Sequence, residues 1–307
     1  MENFSGGFIN LYKEANISSL QSSRPLKRIF LEKKIGHIGT LDPAAEGVLP
    51  IAIGKATKLI DFVLKDSKTY KAIIDFGIET DTLDLEGKII RTENTDHINE
   101  SLIKKKLKKF IGEINQVPPE YSAIKISGQR AYEMKRKGEN PKISARKTKI
   151  HKIHLIKFVE KNQNCQRPKV ELEIECATGF YVRSFARDLS YECKTVGTLA
   201  HLQRLSVSSL DINNSYKIKE ILENQQRISD FIIPMNKLIK LPKIILFDQD
   251  IGLIQNGKFI AMKNYNPQIN IQKVNDHYMC VDKNEKIVCI AKIDSQDQFI
   301  KPFKVLI

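Results

Sequence analysis

Residues 36 to 50 read Gly36-His37-Ile38-Gly39-Thr40-Leu41-Asp42-Pro43-Ala44-Ala45-Glu46-Gly47-Val48-Leu49-Pro50. Three glycines and two prolines in fifteen residues force a tight, stiff excursion. They leave His37, Asp42 and Glu46 as its strongly polar side chains. A carboxylate on such a loop can be held in place before any substrate arrives. Asp42-Pro43 also suits the start of a helix, because Asp caps well and Pro is favoured just after the cap. His37 has an equally plain reading, a hydrogen-bonded loop histidine that neither titrates nor ligates.

Two further segments could complete a site with that loop. From Lys68-Thr69-Tyr70 onward, Tyr70, Ala72, Ile74 and Phe76 alternate with Thr69, Lys71 and Asp75, the period of two expected of a strand with one buried face. Tyr70 then shares a face with Ile74, as a core aromatic or as a site residue. Val170, Leu172, Ile174 and Cys176 alternate in the same way with Glu171, Glu173 and Glu175. After this second strand comes Thr178-Gly179-Phe180-Tyr181-Val182-Arg183, where strand spacing sends Tyr181 and Arg183 to one side. A buried Arg183 needs a carboxylate. Asp188 or a surface acid would serve a structural role; Asp42 would serve a functional one, since an adjacent guanidinium keeps a carboxylate ionised and oriented.

Helical stripes accompany the strands. Leu26, Ile29 and Phe30 follow Ser23, a candidate N-cap, with Pro25 near the first turn; Leu59, Ile60, Val63 and Leu64 make a second stripe. Ile103, Leu107, Phe110 and Ile111 make a third, with Lys104, Lys105, Lys106, Lys108 and Lys109 between them. Helices and strands mix without a regular βαβ repeat, so the expected class is α+β with a mixed or antiparallel sheet.

Charge is unevenly spread. Residues 101 to 157 carry 16 Lys and Arg against four Glu, a net of +12 out of +14 for the 307-residue chain. Within this region, residues 127 to 147 read as an exposed, mobile basic loop suited to closing on phosphates. Beyond Pro242 the chain has nine Lys, no Arg and seven acids, with short apolar runs at Lys243 to Phe247, Tyr278 to Val281 and Lys286 to Ile290. Turn-like pieces at residues 255–257, 264–267 and 282–285 separate them, as in a small β module.

A chain that is 41% hydrophobic and 28% charged folds rather than staying disordered. Its five cysteines form no C-x-x-C pair and no zinc spacing, which fits a reducing cytoplasm. No apolar run approaches the roughly 18 residues of a membrane span, and no signal peptide opens the chain. An ionised Asp, a Tyr and an Arg without a metal cluster, G-x-G-x-x-G or P-loop point to a carboxylate attacking an electrophilic carbon. A glycosidase would need a second working carboxylate, and none is identifiable. The residues alone therefore give a basic, cofactor-free enzyme acting on something anionic.

Gly36 to Pro50 resembles the active-site motif of the bacterial tRNA pseudouridine-55 synthases, the TruB family, which reads much like GHxGTLDPxAxGxLP. The resemblance continues, in family order, at Lys68-Thr69-Tyr70, at Gly77 to Thr82 with Asp84 and Gly87, at Gln116 to Pro119 with Tyr121-Ser122-Ala123, at Gly179 to Arg183, and at Leu202 to Leu205. It implies that Asp42 attacks a target uridine, either at C1′ of the ribose or at C6 of the base, so that the uracil detaches, rotates and rejoins through carbon. It implies further that Tyr70 packs against the flipped base and assists proton removal from C5, that Arg183 pairs with Asp42, and that Tyr181 and Leu202 line the uracil pocket. His37 would fill the gap left by the extruded base.

The same resemblance makes residues 1–235 the catalytic domain, with an RNA-gripping insertion at about 127–147 that offers Arg130, Lys135, Arg136, Lys137, Arg146 and Lys147. Residues 241–307 fall where the family has a PUA-like RNA-binding barrel. The partner implied is the T arm of tRNA, bound by a cytoplasmic monomer that needs no cofactor, membrane or obligatory protein partner. A guide-RNA-dependent synthase of the dyskerin type and a non-catalytic tRNA-folding protein are the competing readings. One departure stands out: Lys13 is followed by Glu14 where the family has Pro, and Asn16 stands where Gly is expected.

Overall fold

The strand Lys68–Phe76 lies at the centre of the main sheet because both of its edges find partners. On one side it pairs antiparallel with Lys169–Cys176, setting Tyr70 opposite Ile174 and Ala72 opposite Leu172. On the other it pairs antiparallel with Gly197–Val207, setting Tyr70 opposite Arg204. Both alternating runs are thus strands of one sheet, with Tyr70, Ala72, Ile74, Leu172 and Ile174 in one buried cluster. The structure is a computed structural model describing residues 4–31, 34–63, 67–163, 165–268, 277–294 and 298–306.

The sheet has ten strands and is mixed. Beyond Gly197–Val207 it continues through Glu46–Gly54, Gly6–Lys13 and Tyr216–Lys217; beyond Lys169–Cys176 it continues through Arg146–Val159 and Gly112–Gln116. Glu46–Gly54 runs parallel to Gly197–Val207, and Gly6–Lys13 parallel to Tyr216–Lys217. Ile35–His37 pairs beside Glu46–Gly54, so the glycine-rich stretch is a hairpin whose connection carries Asp42. Gly47 is tied to that geometry: its φ is +106°, and a Cβ there would press into the backbone of Arg204. Gly47→Ala is expected to cost at least about 1–3 kcal/mol from backbone strain alone, read as a lowered urea midpoint with an unchanged slope.

Helix Val182–Glu192 packs on the central strands through Phe185 and Leu189. Ile103 and Leu107 of helix Glu100–Leu107, with Phe110 just beyond it, cover the same cluster. The third stripe ends there, because the chain turns extended at Ile111, leaving that side chain 51% exposed. The first stripe forms the short helix Leu26–Ile29, ending at Phe30, and a separate short helix, Ser19–Ser23, precedes it. Ser18 caps Ser19–Ser23 through a capping box with Gln21, Ser23 lies inside that helix, and Leu26–Ile29 starts after Pro25 with no side-chain cap. The second stripe is a 3-10 turn, Lys55–Leu59, followed by Ile60–Val63; Leu64 lies outside the described residues.

Residues 127 to 147 are more ordered than a loop. A two-residue hairpin rung, Lys125–Ile126 with Gln129–Arg130, leads into helix Ala131–Arg136, and Arg146 already begins the strand Arg146–Val159. Beyond Pro242, Lys243–Ile245, Tyr278–Val281, Ile287–Asp294, Phe299–Val305 and Ile260–Ala261 form a separate five-stranded sheet. Helix Asp248–Gln255 accompanies it, and residues 264–267 lie in the 3-10 stretch Met262–Gln268 rather than in a turn. One face closes over Ile254, Tyr265, Cys289 and Ile300. The other sets Met279, Val281, Ile287 and Ile290 against Phe8, Val48, Ala52 and Leu59, so the module shares a core with the main sheet. Among the described residues no helix is long and apolar enough to cross a membrane.

Candidate active site

Asp42 sits in a tight turn, its carbonyl accepting from Ala45 N at 3.1 Å, and no helix follows it. The capping reading is therefore wrong, and its side chain is free for other work. Four residues outside the loop hold it. The Ser19 hydroxyl meets both Leu41 N and Leu41 O at 2.9 Å. The buried Lys13 ammonium donates to Pro43 O at 2.9 Å and also to Ala45 O, and burial lowers its pKa to about 8. Asn16 N donates to Pro43 O at 2.8 Å from a left-handed backbone, φ 65°. Asn is among the residues that tolerate this region, so the departure from Gly keeps the turn. Arg204 is the fourth, donating from Nη2 to Gly39 O at 2.8 Å and from Nε to Val48 O at 2.7 Å.

Arg183 meets Asp42 as the functional alternative requires, with Nε 2.9 Å from Oδ2. Its other nitrogens donate to Thr82 O and Tyr121 O, each at 2.9 Å, and Asp84 Oδ2 lies 3.6 Å away. The guanidinium is 7% exposed, whereas Asp42 is 40% exposed, so a fixed cation presents a carboxylate with an open side. Arg183 arrives from the first turn of helix Val182–Glu192, not from a strand. Tyr181 is the extended residue before that helix, and Gln116 locks it by bonding both its N and its O, at 2.8 and 3.1 Å. Asp188, the alternative partner, pairs with Arg187 instead.

Opposing effects set the charge of Asp42. Burial raises its pKa most, Arg183 lowers it, and the nearby Asp84 raises it; the net direction is upward. Tyr70 is raised as well, chiefly by burial, so its phenol is neutral at ordinary pH. His37 hydrogen-bonds Thr40 Oγ1 at 3.0 Å, and burial together with Arg204 lowers its pKa, leaving an uncharged ring at neutral pH.

These groups line one cleft of about 890 Å³. Asp42, Tyr70, His37, Tyr181, Leu202 and Arg183 all border it, as do Thr82, Asp84, Glu86 and Phe180. Of the basic candidates, Arg130 and Arg136 form its rim, their guanidinium carbons 5.9 and 5.5 Å from the centre of the Tyr132 ring. Lys135 is engaged elsewhere, 2.6 Å from Glu120. Lys137 is exposed at the helix end, and Arg146 and Lys147 are exposed at the start of a strand rather than in a loop. Among the described residues no cluster of His, Cys, Asp and Glu could hold a metal.

The chain matches the family model for TruB family pseudouridylate synthase (N terminal domain) over residues 27–182. The tRNA pseudouridine synthase B of Clostridium tetani is 38% identical over 295 residues, covering 96% of this chain and 93% of that protein. That of Prochlorococcus marinus is 35% identical over 314 residues, 99% of this chain and 97% of the relative. Among solved structures, a Cbf5-Nop10-Gar1 complex superposes with TM-score 0.72 at 22% identity, covering 99% of this chain and 85% of that one. The fold is thus that of a pseudouridine synthase. Within that class, the chain belongs to the TruB family.

Proposed function

We infer that this protein converts one uridine in the T arm of tRNA to pseudouridine, with Asp42 as the nucleophile. The observation that carries the reading is the ion pair of Asp42 with a buried, fully engaged Arg183 at the cleft floor. A carboxylate so held is oriented before the substrate binds, and its open edge faces the space a flipped nucleoside would fill. Attack at ribose C1′ breaks the bond to N1 with its electron pair leaving on uracil; attack at C6 would load the base instead. In either case the bond to Asp42 breaks again and frees the carboxylate, C5 replaces N1 at C1′, N1 takes up a proton, and the hydrogen on C5 leaves as a proton. Tyr70 and Leu202 flank the base, Tyr181 borders it, and His37, neutral and flat, occupies the stack that the base vacates.

Arg130 and Arg136 at the rim, with Lys137, Arg146 and Lys147 further out, supply the phosphate contacts. The sheet of residues 243–305 is proposed as the PUA-like second RNA contact. A cytoplasmic location and action as a single chain accompany this reading. The guide-RNA alternative rests on fold likeness at 22% identity, while the relatives matching nearly the whole chain are named as tRNA enzymes.

Because the C5 hydrogen must depart, tRNA labelled with tritium at uridine C5 should release its label to water when incubated with the protein. No release from a folded, bound tRNA would refute the assignment. Replacing Arg136, Lys137 and Arg146 together with Gln should weaken tRNA binding and flatten its logarithmic salt dependence by up to about 2–3 units. The single-turnover rate at saturating tRNA should change little, because these charges hold ground and transition states alike. An unchanged salt slope would move the phosphate contacts elsewhere.

A further inference from the structure

Among the described residues Arg204 is the largest side chain sealed from solvent, 1% exposed, in a strand whose sequence gives no sign of a buried charge. It stands between the two halves of the site. On one side its strand runs parallel to Glu46–Gly54 with Arg204 paired to Gly47; on the other it faces Tyr70 across an antiparallel ladder. Guanidinium nitrogens only donate. They donate here to Val48 O at 2.7 Å and to Gly39 O at 2.8 Å, and Tyr70 is the residue directly opposite Arg204 on the neighbouring strand. Gly39 and Val48 bracket Asp42, three residues before it and six after.

We propose that Arg204 is the positioning residue of the site: one guanidinium sets the Asp42 loop and the Tyr70 phenol against each other. A fixed positive charge beside the phenol makes its ionised form less costly. The other charged or titratable groups facing Tyr70 are Asp42 from the loop and Cys176 from the adjoining strand. Both disfavour phenolate, so Arg204 supplies the favourable charge. Lys68 and His37 in turn lie within the field of Arg204. The chemical use of this arrangement rests on the pseudouridine synthase reading; the contact itself does not.

Two variants test it. Arg204→Gln removes the charge yet can still donate to a carbonyl, and Arg204→Lys keeps the charge but lacks the planar fork that bonds Val48 O and Gly39 O at once. With tyrosines carbon-13 labelled at Cζ and the Tyr70 signal assigned from Tyr70→Phe, the ionisation midpoint of Tyr70 should rise in Arg204→Gln by about 1–3 pH units. It should stay nearer the wild-type value in Arg204→Lys. The saturated single-turnover rate of Arg204→Lys should fall about 10–100-fold with tRNA affinity unchanged, as expected of a misplaced rather than missing group. Should the Gln variant fail to fold, the Lys variant still decides. A wild-type rate in Arg204→Lys, or a Tyr70 midpoint that ignores a folded Arg204→Gln, overturns the proposal. The Tyr70 titration needs no turnover, so it remains informative if the tritium assay rejects the functional reading.

Discussion

Asp42→Asn is expected to lower pseudouridine formation by at least about 10⁴-fold while tRNA still binds. The substitution keeps the shape of the side chain and its reach toward Arg183, whose Nε can donate to the amide oxygen. It removes the negative charge and the nucleophilic lone pair that a carboxylate offers. Folding should survive, because Asp42 caps no helix and the loop is held by Ser19, Lys13, Asn16 and Arg204 rather than by its own carboxylate. Single-turnover assays at saturating tRNA measure the loss, and filter binding confirms the retained affinity. Turnover near wild type would move the chemistry to another group.

Arg183→Met should produce the second largest effect, and a different one. Asp42 already has a raised pKa, because burial and Asp84 outweigh the help from Arg183. Removing the cation raises it further. Catalysis needs the ionised carboxylate, so activity is lost as pH falls through this pKa, and the acid limb of the pH–rate profile must move to higher pH in the variant. Below the new midpoint the rate should fall about tenfold for each unit of displacement. The loss of the bonds to Thr82 O and Tyr121 O adds a drop that high pH does not restore. A lowered rate with an unmoved acid limb would assign Arg183 to packing or phosphate contact.

Much of this site could be read from residue types. The alternation at Tyr70–Phe76 and Val170–Cys176 gives two strands directly, and they are hydrogen-bonded neighbours in the sheet. That Arg183 needs a carboxylate follows from its chemistry, but residue types alone leave Asp42 and Asp188 both open, and strand spacing gives Arg183 the wrong element. Gly179-Phe180-Tyr181 precedes a helix with no side-chain cap, so nothing local announced that Arg183 lies in a first turn. Helix Ala131–Arg136 was hidden by the glycines on either side of it and by its mostly polar face. Arg204 was hidden for another reason. In His201-Leu202-Gln203-Arg204-Leu205-Ser206-Val207 an arginine reads as an outward, solvated residue. Its hydrogen-bond partners are backbone carbonyls, which leave no charge pattern in the sequence. Lys13 carries no local sign of its role beyond standing beside a departure from the family motif, yet its ammonium holds the carbonyls on either side of Ala44.

The central claim is that the cleft holding Asp42 isomerises one uridine of tRNA. The most direct test is to incubate the purified protein with an unmodified tRNA transcript and map pseudouridine along the product. A single modified uridine in the T arm, absent from the Asp42→Asn reaction, is the predicted result. Pseudouridine elsewhere with the T arm untouched, or none at all in a transcript shown to bind, would contradict it.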